Sequence, residues 1–358
     1  MPPLPAEPPV RVVIVEDSVA MRRILRLELE RDGRFDVVGE AGDPYEARAV
    51  IRNTSPDVLT LDIEMPRMDG ISFLRKLMSL RPMPVVMLSS LTVPGSRAAV
   101  EALSLGAVDC IDKASITHDI GRARLPSRIH AAASAQLHAL PRANQPLLGR
   151  GRGWDGRAIL IGASTGGVRA IERLLAPLPA DAPPIAIVQH MPKPFLENFA
   201  QRLGALSAVR VSLAHPGAEL RPGHVWIAPG GAHHLVVAGQ SGGVLTLDLQ
   251  SGGKRSGHRP SVDALFTSAE PYGPYVVATL LTGMGKDGAE GMARLRRAGA
   301  HTIAQSASTC VVAGMPGAAM ALGAAIEEIP LDRIPRRLMD LTGNCAAAGP
   351  AQRRRSLT

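Results

Sequence analysis

Long apolar runs are missing from this 358-residue chain: nowhere do eighteen or more apolar residues follow one another. The opening Met1-Pro2-Pro3-Leu4-Pro5 has neither a basic head nor an apolar core, so no membrane insertion and no secretory signal is expected, and a cytoplasmic protein is. Cysteine is scarce. Cys110, Cys310 and Cys345 are odd in number and lack metal-ligand spacing, which argues against a disulfide framework and a zinc site and leaves buried thiols. Aromatics make up only 3% of residues, so the net charge of +8 does not read as a nucleic-acid surface. Apart from short clusters such as Arg353-Arg354-Arg355 the basic residues are spread along the chain, and an acidic protein partner accounts for the charge as well. The hydrophobic fraction of 46% is that of a globular protein, and the length allows two domains, each with its own core.

What is present begins with alternation. Val12 to Val15, Asp36 to Gly39, Val58 to Leu61, Pro84 to Leu88 and Ala107 to Ile111 read as strands between amphipathic stretches, and five βα units imply a doubly wound parallel sheet. Functional groups gather beyond the carboxyl ends of such strands. Those ends carry Glu16 and Asp17, Asp62, Ser89 and Ser90, and Lys113. Three converging carboxylates repel one another unless a divalent cation joins them, and an oxygen-only set suits magnesium. A lysine and a serine hydroxyl then supply what a phosphoryl group needs.

Residues 11 to about 135 resemble the receiver domain of two-component response regulators. The resemblance implies a flavodoxin-like fold in which Asp62, in Leu61-Asp62-Ile63-Glu64-Met65-Pro66, is the phospho-acceptor. Glu16, Asp17 and Asp62 would hold magnesium, Ser89 and Lys113 would contact the phosphoryl oxygens, and a histidine kinase would be the phosphodonor. Two departures stand out: Ala114 follows the lysine where receivers usually have proline, and Cys110 replaces an aromatic. Phosphorylation chemistry is expected to survive both, whereas the internal relay is put in question.

Pro141 to Pro146 and Gly149 to Gly153 break the alternation, so 136–156 is expected to be a linker and 157–345 a second domain. Its strands are expected at Ala158 to Ile161, Ile185 to Gln189, Val225 to Ala228, Val276 to Leu281 and Thr302 to Ala304. Gly162-Ala163-Ser164-Thr165-Gly166-Gly167 follows the first and opens a helix, a strand-to-helix turn that exposes a serine hydroxyl beside the helix's first amides. If Ser164 is a nucleophile, a base and an orienting acid must reach the same rim. His190 ends its strand and Asp287 lies just beyond another, in the glycine-rich Thr282-Gly283-Met284-Gly285-Lys286-Asp287-Gly288. A rival base, His301, would give the order Ser, Asp, His of the α/β-hydrolases, but it precedes its strand and so belongs to the opposite rim. His215, His224, His233, His234 and His258 show no metal-hydrolase spacing and are expected to face solvent from loops.

Gly162 to Gly167, Gln189-His190-Met191-Pro192, His258-Arg259-Pro260-Ser261-Val262-Asp263 and Leu281 to Gly288 together resemble the CheB-type chemotaxis methylesterases. These join a receiver to a protein-glutamate methylesterase and glutamine deamidase with a Rossmann-like parallel sheet. The resemblance implies Ser164 as nucleophile, His190 as base and Asp287 as its partner, with Thr165, Gly166 and Met284 in the oxyanion and active-site loops. It implies the cytoplasmic domain of a methylated chemoreceptor as substrate, phosphorylation as activator, and no cofactor for ester hydrolysis. Two alternatives are a DNA-binding regulator, for which no helix-turn-helix follows residue 150, and a catalytically silent adaptor that only docks partners.

Overall fold

Capping side chains set the helices of the amino-terminal half. The Ser18 hydroxyl accepts from the Met21 amide at the start of helix Val19–Asp32, and Gly33, at φ 74°, ends it in the left-handed conformation that glycine adopts without cost. Asp43 caps helix Pro44–Thr54 and Asp69 caps helix Gly70–Leu80. Between them run β1 (Val10–Val15), β2 (Phe35–Ala41), β3 (Val58–Asp62), β4 (Val85–Ser89) and β5 (Asp109–Asp112). They pair in parallel in the order β2-β1-β3-β4-β5. Every residue of β3 and β4 is buried, as expected of strands covered by helices on both faces. The computed structural model describes residues 8–90, 93–137, 148 and 153–343; most of the expected linker, Cys345 and the Arg353-Arg354-Arg355 cluster lie outside the described residues.

The second half contains β6 (Ala158–Ala163), β7 (Ile185–Gln189), β8 (Arg210–Leu213), β9 (Ala218–Glu219), β10 (His224–Ile227), β11 (His233–Ser241), β12 (Val244–Ser251), β13 (Val276–Leu280), β14 (His301–Gln305) and β15 (Glu327–Ile329). Seven of these form a parallel sheet in the order β15-β14-β13-β6-β7-β10-β8. The chain steps outward from β6 to one side and returns through β13 to the other, so the crevice between β6 and β13 is the topological switch point. The corresponding point of the first sheet lies between β1 and β3. Strands β11, β12 and β9 make a separate antiparallel sheet, which the βα alternation of the sequence does not predict.

The two halves pack directly on each other. Helix Val93–Leu105 of the first lies against helices Gly167–Leu175 and Lys193–Leu206 of the second, and one apolar cluster runs through both. Polar contacts flank it. Glu172 accepts from the Ser104 hydroxyl at 2.6 Å and from Arg202 at 2.6 Å, and Arg124 donates to the Gly257 carbonyl at 3.2 Å.

Candidate active site

Strand β6 is buried along its whole length and delivers Ser164 to the switch point. The backbone there is held from several sides. The Ser164 amide donates to the Thr282 carbonyl at 3.0 Å, its carbonyl accepts from the Gly167 amide at 2.8 Å, and the Gln189 side chain donates to the same carbonyl at 2.9 Å. The left-handed residue of the turn is Gly166, at φ 77°, and Ser164 is not among the residues of positive φ. A Cβ on Gly166 would also stand 2.6 Å from the Cβ of Val311. Gly283 is needed for close approach, since a Cβ there would meet the Ser164 Cβ at 2.8 Å. Thr282 locks the two loops together: its hydroxyl donates to Thr165 and Val312 carbonyls and accepts from the Val312 amide, while its own amide donates to Gln305.

His190 follows β7, the neighbour of β6. Its Nε2 lies 2.8 Å from Asp287 Oδ2, and the two side chains are 6% and 2% exposed. Nδ1 of the same ring is buried without a hydrogen-bond partner. Asp287 is surrounded by donors: the Ser261 hydroxyl at 2.8 Å, the Val262 amide at 2.7 Å and the Asp263 amide at 3.2 Å. Burial would raise its pKa, but the bonds from His190, Val262 and Ser261 outweigh it and bring the carboxyl down to about 2. Asp263, beside it, is pushed up to about 6, chiefly by burial and also by the Asp287 charge, against the lowering effect of the Gly291 amide.

Ser164, Thr165, Gly166, His190 and Met284 line one cavity of about 580 Å³, and receiver-side residues including Cys110, Arg124 and Arg128 form its other wall. His301 begins β14 and bonds Glu327 at 2.5 Å, at the end of the sheet away from Ser164. The expectation that the remaining histidines face solvent holds for His215 and is corrected for His224, His234 and His258. His234 is 1% exposed, with Nε2 on the Gly253 carbonyl and Nδ1 accepting from the Ser261 amide. His224 stacks on Trp226, and His258 stacks on His190. His234 is carried inward on β11 of the antiparallel sheet, whereas His224 begins β10 of the parallel sheet and His258 lies in the loop after β12. Sequence reasoning also missed Gln189, Ser261, Thr282 and Gln305, although Gln189, Ser261 and Thr282 stand inside motifs it had singled out.

In the first half the ligand oxygens of Glu16, Asp17 and Asp62 lie within 4.8 Å of one another. Lys113 Nζ reaches Asp62 at 2.6 Å and Glu16 at 2.9 Å. Burial raises Glu16 to about 7, assisted by the Asp62 charge and opposed by Lys113. Burial raises Asp62 as well. The ammonium of Lys113 is opposed by burial, yet the two carboxylates raise it. A buried pair of carboxylates still short of positive charge after one lysine fits a divalent cation. Ser89 lies at the end of β4, 1% exposed, with its hydroxyl directed to the Ser90 carbonyl. Cys110 and Cys310 are buried, and burial raises both thiols, Cys310 to about 12.

A receiver-like domain that walls the cavity lined by Ser164 and His190 at the carboxyl rim of an α/β domain defines a response regulator with a hydrolase-type output. Residues 159–338 match the CheB methylesterase family and residues 12–123 the response regulator receiver domain. A Bordetella bronchiseptica protein-glutamate methylesterase/protein-glutamine glutaminase is 46% identical over 348 residues, covering 94% of this chain and 98% of its own. A protein of the same description from Caulobacter vibrioides is 45% identical, covering 93% and 98%. The crystal structure of the Thermotoga maritima CheB methylesterase catalytic domain is 39% identical, with a TM-score of 0.50 and coverage of 52% of this chain and 100% of that one. The chain belongs to the CheB methylesterase family. Among the described residues no helix is long and apolar enough to cross a membrane.

Proposed function

We propose that Ser164, His190 and Asp287 carry out acyl transfer in a protein-glutamate methylesterase and protein-glutamine glutaminase whose activity is governed by phosphorylation. The observation that carries this reading is the His190 ring, held at Nε2 by a buried carboxylate, with Nδ1 buried and unpartnered, in a residue that lines the same cavity as Ser164. Nδ1 takes the Ser164 proton as Oγ bonds the γ-carbonyl carbon of a methylated glutamate. The ester C–O bond then breaks and the same proton passes from His190 to the departing methoxide, giving methanol. Water, relieved of a proton by His190, attacks the acyl-enzyme and returns glutamate and the free serine. A glutamine side chain follows the same route with ammonia as leaving group, which His190 must protonate before it departs. Asp287 remains ionised throughout and stabilises the imidazolium.

The Ser164 and Gly167 amides already donate to backbone carbonyls, which leaves those of Thr165, Gly166 and Met284 as oxyanion donors. The functional units run 11–135 and 157–345, joined by 136–156, and act in the cytoplasm on the cytoplasmic domain of a methylated chemoreceptor. In the receiver, Glu16, Asp17 and Asp62 would hold magnesium, which when bound neutralises charge around a phosphoryl group. Asp62 is the acceptor from a histidine kinase, and Ser89 and Lys113 orient the phosphoryl oxygens. The unphosphorylated receiver covers the Ser164 cavity, and the phosphoryl group weakens that docking through loops near Ser89 and Lys113.

Methanol release from a panel of methylated receptor fragments tests the reading. Ser164→Ala and His190→Ala should each lose on the order of 10³-fold or more while staying folded, and His301→Ala should lose little. Activity of Ser164→Ala within about tenfold of the parent would rule the mechanism out. No methanol from any fragment, with or without a small phosphodonor, would favour an adaptor that only docks.

A further inference from the structure

The His190 imidazole is covered on one face by a second imidazole. The rings of His190 and His258 lie parallel, with centroids 3.7 Å apart and planes within 5°. This is van der Waals contact over a whole ring face, and the segment that presents His258 is braced on both sides. Arg255 and His258 exchange backbone hydrogen bonds of 3.0 and 2.8 Å, and the two residues between them, Ser256 at φ 49° and Gly257 at φ 81°, are both left-handed. That is a two-residue turn of the type that closes a tight hairpin. The next residue, Arg259, anchors the chain by donating to the Gly231 carbonyl at 2.7 Å and the Gly252 carbonyl at 2.6 Å. Two residues on, the Ser261 hydroxyl reaches Asp287. A stretch of four residues therefore touches both members of the His190–Asp287 pair, the ring of one and the carboxylate of the other.

A histidine joined to its acid by one hydrogen bond can still tip about that bond. Tipping moves Nδ1 off the line to the serine while leaving Nε2 in place. A flat group packed on the ring face removes that freedom. It must also stay uncharged, because two stacked imidazolium rings repel and the catalytic proton belongs on His190. Burial holds His258 far below the usual histidine range, at about 3, and the charge of His190 and the cations Arg124 and Lys254 act in the same direction against Asp287. Among the described residues the charged groups that act on it most strongly are His190 from the end of β7, Asp287 from the loop after β13, Arg124 from the receiver helix Asp119–Ala133 and Lys254 from its own loop.

Building on the acyl-transfer reading, we propose that His258 is a positioning residue that keeps the His190 ring, by parallel stacking, in the orientation that aims Nδ1 at Ser164. It moves no proton itself.

The test uses the full chain with saturating phosphodonor. A serine-directed fluorophosphonate titrates the active sites, so that turnover is expressed per competent Ser164 and a loss of folded protein is divided out. The parent must release methanol and be inactivated at Ser164; failure at this step sinks the acyl-transfer reading, and only a parent that passes it puts the stacking role of His258 to the test. His258→Ala should lower kcat per titrated site by about 10- to 100-fold, the scale expected when a catalytic group is displaced by a fraction of an ångström to an ångström, with KM moved less than about threefold. His258→Phe restores a flat ring that cannot titrate and should recover kcat to within about fivefold of the parent with an unchanged pH profile. The far-downfield proton resonance of the His190 Nε2–H on Asp287 should persist in the Phe variant and broaden in the Ala variant. A kcat for His258→Ala within twofold of the parent would overturn the proposal. So would a Phe variant as slow as Ala with the resonance intact, since that result makes His258 a proton carrier.

Discussion

The contact between Ser104 and Glu172 offers a way to loosen the proposed cover without touching the chemistry. Ser104 sits on the receiver helix Val93–Leu105, Glu172 on the helix that begins two residues after Thr165, and their hydrogen bond is 2.6 Å. Glu172 keeps Arg202 as a partner when the serine hydroxyl is removed, so Ser104→Ala deletes one charge-assisted bond and leaves no buried charge unpaired. Such a bond contributes about 1.5–3 kcal/mol when dry. The Glu172 side chain is 15% exposed and water replaces part of the loss, so about 1.4 kcal/mol is the working figure. A receiver docked 99% of the time needs about 2.7 kcal/mol. Removing about 1.4 kcal/mol of it raises the open fraction from about 1% to about 10%, a tenfold gain in unphosphorylated turnover. Methanol release measured without phosphodonor should therefore rise about tenfold in Ser104→Ala, while the rate at saturating phosphodonor stays at the parental value. An unphosphorylated rate indistinguishable from the parent would refute the claim that this junction holds the cover, and an equal rise in both rates would mean that the substitution acts on the site itself.

The two carboxylate clusters carry expectations of their own. With magnesium and a small phosphodonor, Asp62 should gain a base- and hydroxylamine-labile acyl phosphate; label retained in Asp62→Asn would place the acceptor elsewhere, and Asp17→Asn should weaken labelling and magnesium binding together. Asp263 titrates near 6 in the folded chain against about 3.9 unfolded, so folding favours its protonated form. Its contribution is fully present below about pH 4 and is lost as pH rises through about 6. Asp263→Asn keeps an oxygen for the Gly291 amide, which donates at 2.7 Å, and carries no charge. In urea unfolding its stability relative to the parent should climb between pH 4 and pH 7, and a difference that stays flat over that range would contradict the raised carboxyl.

Much of the site was legible because both domains obey one rule: chemistry collects where parallel strands end. Glu16, Asp62 and Lys113 in one sheet and Ser164 and His190 in the other emerge from locating strands and reading the residue at or just after their carboxyl ends, Asp287 from the glycine-rich loop that follows β13, and His301 fell away by the same rule. The supporting network was not legible. His234 reaches Ser261 across 27 residues, through an antiparallel sheet that no alternation of β and α units announces. Gln189, Thr282 and Gln305 act through uncharged side chains on backbone groups, and residue type alone does not distinguish such bonds from solvation. The sharp bend that the small residues announce falls two positions beyond the serine, because glycine at 166 lets the turn be made without forcing Ser164 into a left-handed conformation.

The wall that receiver residues contribute to the Ser164 cavity belongs to the same polypeptide as the cavity itself. On the proposed covering role, occlusion is a first-order event. Its equilibrium contains no concentration, so the idle fraction of the enzyme is the same in a cell that makes few copies and one that makes many, and dilution does not relieve it. A separate inhibitor of the same modest affinity would release its target whenever its own level fell below its dissociation constant, whereas a tethered cover works at an effective concentration set by the chain. Weak docking is then sufficient for silence and remains weak enough for one phosphoryl group to undo, which fixes the set point of the output in the fold and leaves only the phosphorylated fraction as a variable.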